Sequence, residues 1–287
     1  MKEFRMTSPV RFLLIGAAVA ATLSACQRRE DKAPDAPPPA AVAEAEAPVT
    51  SADAAAPLSY DSKNQFASVK LSLPAALKGQ PDLHARLYAG AVRDLRQFVE
   101  GAQADRTEAG GDGGMAPYEK LITVEAGAET GKLFSLRRED YDFTGGAHGN
   151  TLFTGVLWDK ALKRQITIAD LFRKGADFAV LDQALCNAVN QAKGVRSPGA
   201  QPVSLTGKDW SCPPAAQTPF VLTPGTVPGK AGGLTFMIGA YQVGPYSDGA
   251  YSIAVPQSVF RALLNPAYAD EFAGQPVKSG DVTPTRG

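Results

Sequence analysis

Histidine and cysteine are scarce in this 287-residue chain, with two of the former and three of the latter. His84, His148, Cys186 and Cys212 stand in four distant places and show no metal-ligand spacing, so no metal or other cofactor is expected. Charge of one sign is also missing. Twenty-nine basic residues balance 29 acidic ones, and a surface for nucleic acid needs a basic excess that is absent here. The chain contains neither a Gly-x-Ser-x-Gly elbow nor a His-Glu-x-x-His helix; Ser247 lacks the glycine spacing that an elbow requires. The glycines of 109–114, around Asp112, lack the Gly-x-Gly-x-x-Gly order and a preceding strand, so they read as a mobile surface loop and not a phosphate cradle.

Long apolar runs are missing too. Phe12 to Leu23 is too short to span a bilayer, and with Lys2, Arg5 and Arg11 before it the segment reads as an export signal over residues 1–25. It ends in Leu23-Ser24-Ala25-Cys26, which has the form of a bacterial lipobox with Cys26 as the lipidated first residue of the mature chain. Acylation there predicts stable anchoring at a membrane surface. Gln27 in place of an aspartate fits sorting to the outer membrane, facing the periplasm. Without Lys2, Glu3, Arg5 and Arg11 the balance is 26 basic against 28 acidic residues, a net of −2.

Residues 26–58 follow as a tether: from Ala33 to Pro57, 17 of 25 residues are Ala or Pro, a composition that cannot bury a core and favours extended backbone. The remaining two cysteines, Cys186 and Cys212, are an even pair in an exported chain and so a disulfide candidate; two free buried thiols are the alternative.

A globular domain is expected over 59–270, with a flexible tail over 271–287. Val69, Leu71 and Leu73 alternate with polar residues until Pro74, the pattern of a half-buried strand. Pro81 fits a first helical position, and Leu83, Leu87, Ala91, Leu95 and Phe98 recur along one helix face, with His84 beside the stripe as a partly covered residue. Residues 118–125, 133–143 and 152–158 read as an antiparallel meander whose second turn is rich in glycine. Ile166 and Ile168 suggest a short strand, and Phe178, Leu181, Leu185, Ala188 and Val189 define a second helix over 177–193. Residues 194–232 read as an irregular excursion, 234–256 as two strands joined by a long turn at 244–249, and 257–264 as a short helix. The class expected is α+β: an antiparallel sheet with two main helices and a short C-terminal helix.

Two separated segments carry a resemblance. Tyr141-Asp-Phe-Thr-Gly-Gly-Ala-His-Gly-Asn150, followed by Gln165-Ile-Thr-Ile-Ala-Asp-Leu-Phe172, and the stretch from Leu234 to Pro256 with Tyr241-Gln-Val-Gly-Pro-Tyr246, resemble one family. That family is a domain of unknown function found in the extracellular part of the lysozyme-sensing anti-sigma factor RsiV and beside the deacetylase module of PdaC. The resemblance covers about Phe66 to Leu264 and implies a sensing or binding module, since this chain has neither a deacetylase domain nor a sigma-binding segment. It points to a lysozyme-like protein or peptidoglycan as partner.

Candidate binding residues lie in the two loops: Thr144, Gly145, Gly146, His148, Gly149 and Asn150 in the first, and Tyr241, Tyr246 and Ser247 in the second, because loops on a rigid sheet carry recognition. The structural reading of the glycine turn is that Gly145, Gly146 and Gly149 take positive φ and His148 bonds the backbone to close it. The tyrosines equally suit a sheet face. No catalytic residue is assigned. Asp140 and Asp142, two apart on one strand and about 7 Å from each other, are the pair an enzyme acting on glycan would use. The simpler reading is alternating charge on a solvated strand face; a purely structural envelope lipoprotein is the third alternative.

Overall fold

In the computed structural model, which describes residues 57–110 and 116–284, the alternation around Val69 becomes the second strand of a six-stranded sheet. β1 (Ser59–Lys63), β2 (Ala67–Ser72), β3 (Tyr118–Glu129), β4 (Leu133–Phe143), β5 (Asn150–Asp159) and β6 (Arg164–Ile166) lie side by side in chain order. The expected meander of β3, β4 and β5 is present, with the glycine turn between β4 and β5. One pairing departs from the antiparallel expectation: β2 and β3 run parallel. A parallel pair needs a long crossover, which α1 (Pro81–Glu108) supplies. The export signal, the Cys26 lipobox and nearly all of the tether lie outside the described residues, as does most of the 109–114 loop.

Period-2 alternation decides what α1 covers. Val69 and Leu71 of β2, Ile122 and Val124 of β3, and Phe134 and Leu136 of β4 turn to one face and bury Leu83, Ala91 and Leu95 of the helix. His84, expected to be partly covered, is fully buried: its Nε2 lies 3.1 Å from the carbonyl oxygen of Pro57, because the chain entering β1 passes over the first turn of α1.

Thr167 and Asp170 form a capping box, so Ile168 opens the short α2 (Ile168–Leu171) instead of extending a strand. α3 (Ala179–Arg196) follows where its apolar stripe predicts. The excursion over 194–232 is less irregular than expected. It contains β7 (Phe220–Pro224) and the first residues of β8 (Ala231–Ile238), which with β9 (Tyr251–Pro256) and β10 (Gly280–Asp281) make a second sheet ordered β10-β9-β8-β7. β8 is buried at every position, so both of its faces are covered and no alternation marks it.

The helix expected over 257–264 is two 3₁₀ turns, Gln257–Val259 and Arg261–Leu263, and the short C-terminal helix is α4 (Pro266–Ala269). The tail expected to be flexible is fixed up to Pro284: β10 pairs with β9, and the Val282 N–H donates to Ser252 O at 2.8 Å. The α+β class with two long helices is borne out; the single sheet expected is two.

The second sheet meets the first through its edge. β7 crosses the face of β3, β4 and β5 that α1 leaves open, and the Leu222 N–H donates to Ser135 Oγ at 3.1 Å. At the crossing Gly155 is required, since a Cβ there would lie 1.9 Å from Phe220 O. α3 closes the second core, and a disulfide from Cys186 to Cys212 holds the following segment against it. Asn190 reinforces that contact by bonding both the N–H and the carbonyl of Val203, each at 2.8 Å.

Candidate functional site

Beyond β7, part of the first sheet's outer face stays uncovered. From the β7 crossing outward the register sets rows: Glu125 and Arg137 beside Gly155 at the crossing itself, Thr123, Glu139 and Phe153 in the next, then Leu121, Tyr141 and Thr151. Glu125, Arg137, Glu139, Thr151 and Phe153 form the floor of a cleft of about 520 Å³. Its floor is internally paired on one side. The Arg137 guanidinium donates to Glu139 Oε2 at 3.1 Å and lies over the Phe153 ring at 4.9 Å.

The opposite wall is the loop between β8 and β9, backed by α3 and the C-terminal strand. Lys193 of α3 is 4% exposed, donating to Val243 O at 2.6 Å and to Asp248 Oδ2 at 3.0 Å. Gly244 leaves room for this ion pair: a Cβ would stand 2.2 Å from Asp248 Oδ2 and 2.8 Å from Lys193 Nζ. Arg196 grips the strand that follows. It donates to both oxygens of Asp281 at 2.7 Å, to Ala250 O and to Thr283 Oγ1, and stacks 4.1 Å over Tyr251. Burial alone would raise the Asp281 carboxyl, but the Thr283 hydroxyl and amide together with Arg196 hold it below the usual carboxylate range. Thr283 and Pro284 thereby become part of the cleft wall.

At the mouth the two loops picked out in the sequence meet. The His148 ring stacks on Tyr246 with centroids 3.6 Å apart, and its Nε2 is 3.2 Å from Tyr241 Oη. Gly149 O accepts from His148 Nδ1 at 3.0 Å and from Tyr246 Oη at 3.1 Å. Because a carbonyl only accepts, the proton of the neutral ring sits on Nδ1 and Nε2 accepts from the tyrosine. Tyr241 itself holds a φ of 66° and is 52% exposed. A tyrosine in that backbone region is strained by about 1–3 kcal/mol, and such strain persists where the surrounding structure enforces it.

Of the nine candidate binding residues, His148, Gly149, Tyr241, Tyr246 and Ser247 gather at or beside the cleft. Thr144, Gly145, Gly146 and Asn150 stay exposed on the turn away from its lining. Gly145 and Gly146 take the expected positive φ, at 98° and 93°. Gly149 does not; it is glycine because a Cβ would strike the Tyr141 ring at 2.4 Å.

Asp140 and Asp142 occupy the other face of β4, toward α1, since even-numbered positions of that strand turn to the helix. Asp140 is held by Arg138 through two 2.7 Å bonds, and Arg138 reaches Asp94 of α1 at 3.0 Å. Burial works against the Arg138 charge, yet its bonds to Asp140 and Asp94 outweigh that and raise its proton affinity. The strand face is therefore a helix contact and not the solvated side. The floor residues Glu125, Arg137, Glu139, Thr151 and Phe153 carried no sequence signal beyond period-2 alternation, which separates two faces without saying which is left bare.

Comparison with known proteins bears on the strands that make this floor. Residues 60–151 match the family model described as Deacetylase PdaC. The matched stretch spans β1, β2, α1, β3, β4 and the glycine turn, in line with the resemblance read from the sequence. Two solved structures of DUF3298-family proteins are similar to the chain. One, from Bacteroides fragilis, is 19% identical with a TM-score of 0.48, covering 74% of this chain and 94% of its own. The other, from Pseudomonas aeruginosa PAO1, is 16% identical with a TM-score of 0.45, covering 76% and 94%. No curated protein matches the chain.

Proposed function

We propose that this chain is an envelope-facing binding module that holds cell-wall glycan in the cleft without transforming it. One observation carries the reading: two loops 93 residues apart in sequence close on each other as a His148, Tyr241 and Tyr246 cluster at the mouth of a concave site. Tyrosine rings with polar tips suit the mixed apolar and hydroxyl surface of a sugar, and the cleft volume falls in the range of small-ligand sites. Two acids are already taken up within the protein: Glu139 on the floor by Arg137, and Asp140 on the far face of the sheet by Arg138. The acylated cysteine and Ala/Pro tether complete the proposal, placing the module on a lipid anchor at the outer membrane within reach of the wall.

A lysozyme-like protein is the competing occupant. The full chain in detergent micelles is incubated with purified peptidoglycan and, separately, with lysozyme, and retention is measured together with released acetate and reducing ends. Saturable retention on peptidoglycan without products is expected. Product release would make the chain an enzyme, and retention by lysozyme alone would reassign the partner. The anchor is tested by fatty-acid labelling, which should mark the natural chain and not Cys26→Ser.

A further inference from the structure

The charges around the cleft are unequally spent. Arg137 is committed to Glu139 and to the Phe153 face, and Arg196 to Asp281, Thr283, Ala250 and Tyr251. Both guanidinium groups of the lining are thus engaged within the protein. Glu125 differs: it is exposed on the floor, and among the described residues its carboxylate makes no hydrogen bond or ion pair, although the register sets it directly opposite Arg137. A ligand entering the cleft therefore meets two engaged cations and one free anion.

From this we infer that the site selects a sugar bearing a free primary amine, an ammonium group received by Glu125 while the ring lies along Tyr246 and Phe153. This rests on the glycan-binding reading above and adds the charge of the ligand to it. The chemistry requires each part: an unpaired carboxylate favours an ammonium over a neutral acetamido group, and aromatic walls accept the apolar face of a pyranose. A lysine side chain on a protein would offer the same ammonium. A concave site of about 520 Å³ suits an oligosaccharide end better than a protein face, whose specific contacts spread over a far larger area.

The experiment titrates the full chain in micelles with two tetrasaccharides, one of glucosamine and one of N-acetylglucosamine, by calorimetry at neutral pH. The amine form is expected to bind about fivefold tighter, the upper range for an exposed ion pair. Glu125→Gln should abolish that difference, so that the two tetrasaccharides bind alike, while leaving the melting temperature unchanged, since residue 125 is exposed. Equal binding of both tetrasaccharides to the natural chain would overturn the amine preference and leave the glycan reading standing. Binding of neither would overturn both. A preference that survives in Glu125→Gln would overturn the role of Glu125.

Discussion

Replacing Lys193 by methionine tests how the recognition loop is held. The substitution keeps the volume of the stem and removes the charge from a pair whose side chains are 5% and 10% exposed. Asp248 would keep only the Ser197 hydroxyl, at 3.4 Å, and Val243 O would lose its 2.6 Å donor. Stranding one charge of a buried pair costs about 3–5 kcal/mol, much of it the desolvation of the ion left behind. Urea unfolding of the oxidised protein should therefore show Lys193→Met less stable by about that amount. Adding Asp248→Asn removes the stranded charge, so the double variant should recover at least about half of the loss. A single-variant cost below about 1 kcal/mol, or a double variant no better than the single, would refute this account of the loop.

Other perturbations probe the frame of the site. The Cys186→Ala, Cys212→Ala double variant releases a cross-link with a sequence separation of 26, and chain entropy predicts a loss of about 3.5 kcal/mol, readable by the same unfolding experiment. Gly155→Ala places a methyl group against Phe220 O and should destabilise by about 3 kcal/mol or more by forcing the two sheets apart; a cost under about 1 kcal/mol would contradict the crossing described. Asp281 has a carboxyl pKa lowered by folding, so its contribution is present above the unfolded value near 3.8 and is lost as pH falls through the lower folded value. Hydrogen exchange at the Val282 amide should accordingly stay protected at neutral pH and lose protection in that acid range, and Asp281→Asn should weaken it already at neutral pH.

Much of the frame was legible from period alone. The stripes of α1 and α3 and the alternation of β2 place those elements because each buries one face, while β3, β4 and β5 keep the alternation over the part that α1 covers and bury both faces where β7 crosses. β7 and β8 escaped notice as a pair because β7 is buried at four of five positions and β8 at all eight, leaving no alternation, and because Gly and Pro surround them. The C-terminal strand escaped because it is two residues long and its anchor, Arg196, lies 85 residues earlier. The site shows the same division. Its loops were visible through glycine and tyrosine spacing, whereas its floor is defined by where β7 stops covering the first sheet, a property of packing between distant segments. Asp140 and Glu139 show the same limit: alternation puts them on opposite faces, and only the position of α1 decides which face is open.

The most direct test of the cleft as the binding surface is Tyr241→Gly. Glycine suits a φ of 66°, so the variant removes an exposed ring while relieving backbone strain. Thermal melting and retention of the full chain on peptidoglycan are measured side by side. An unchanged or higher melting temperature with retention weakened about tenfold is the predicted result, and retention equal to that of the natural chain would contradict the account.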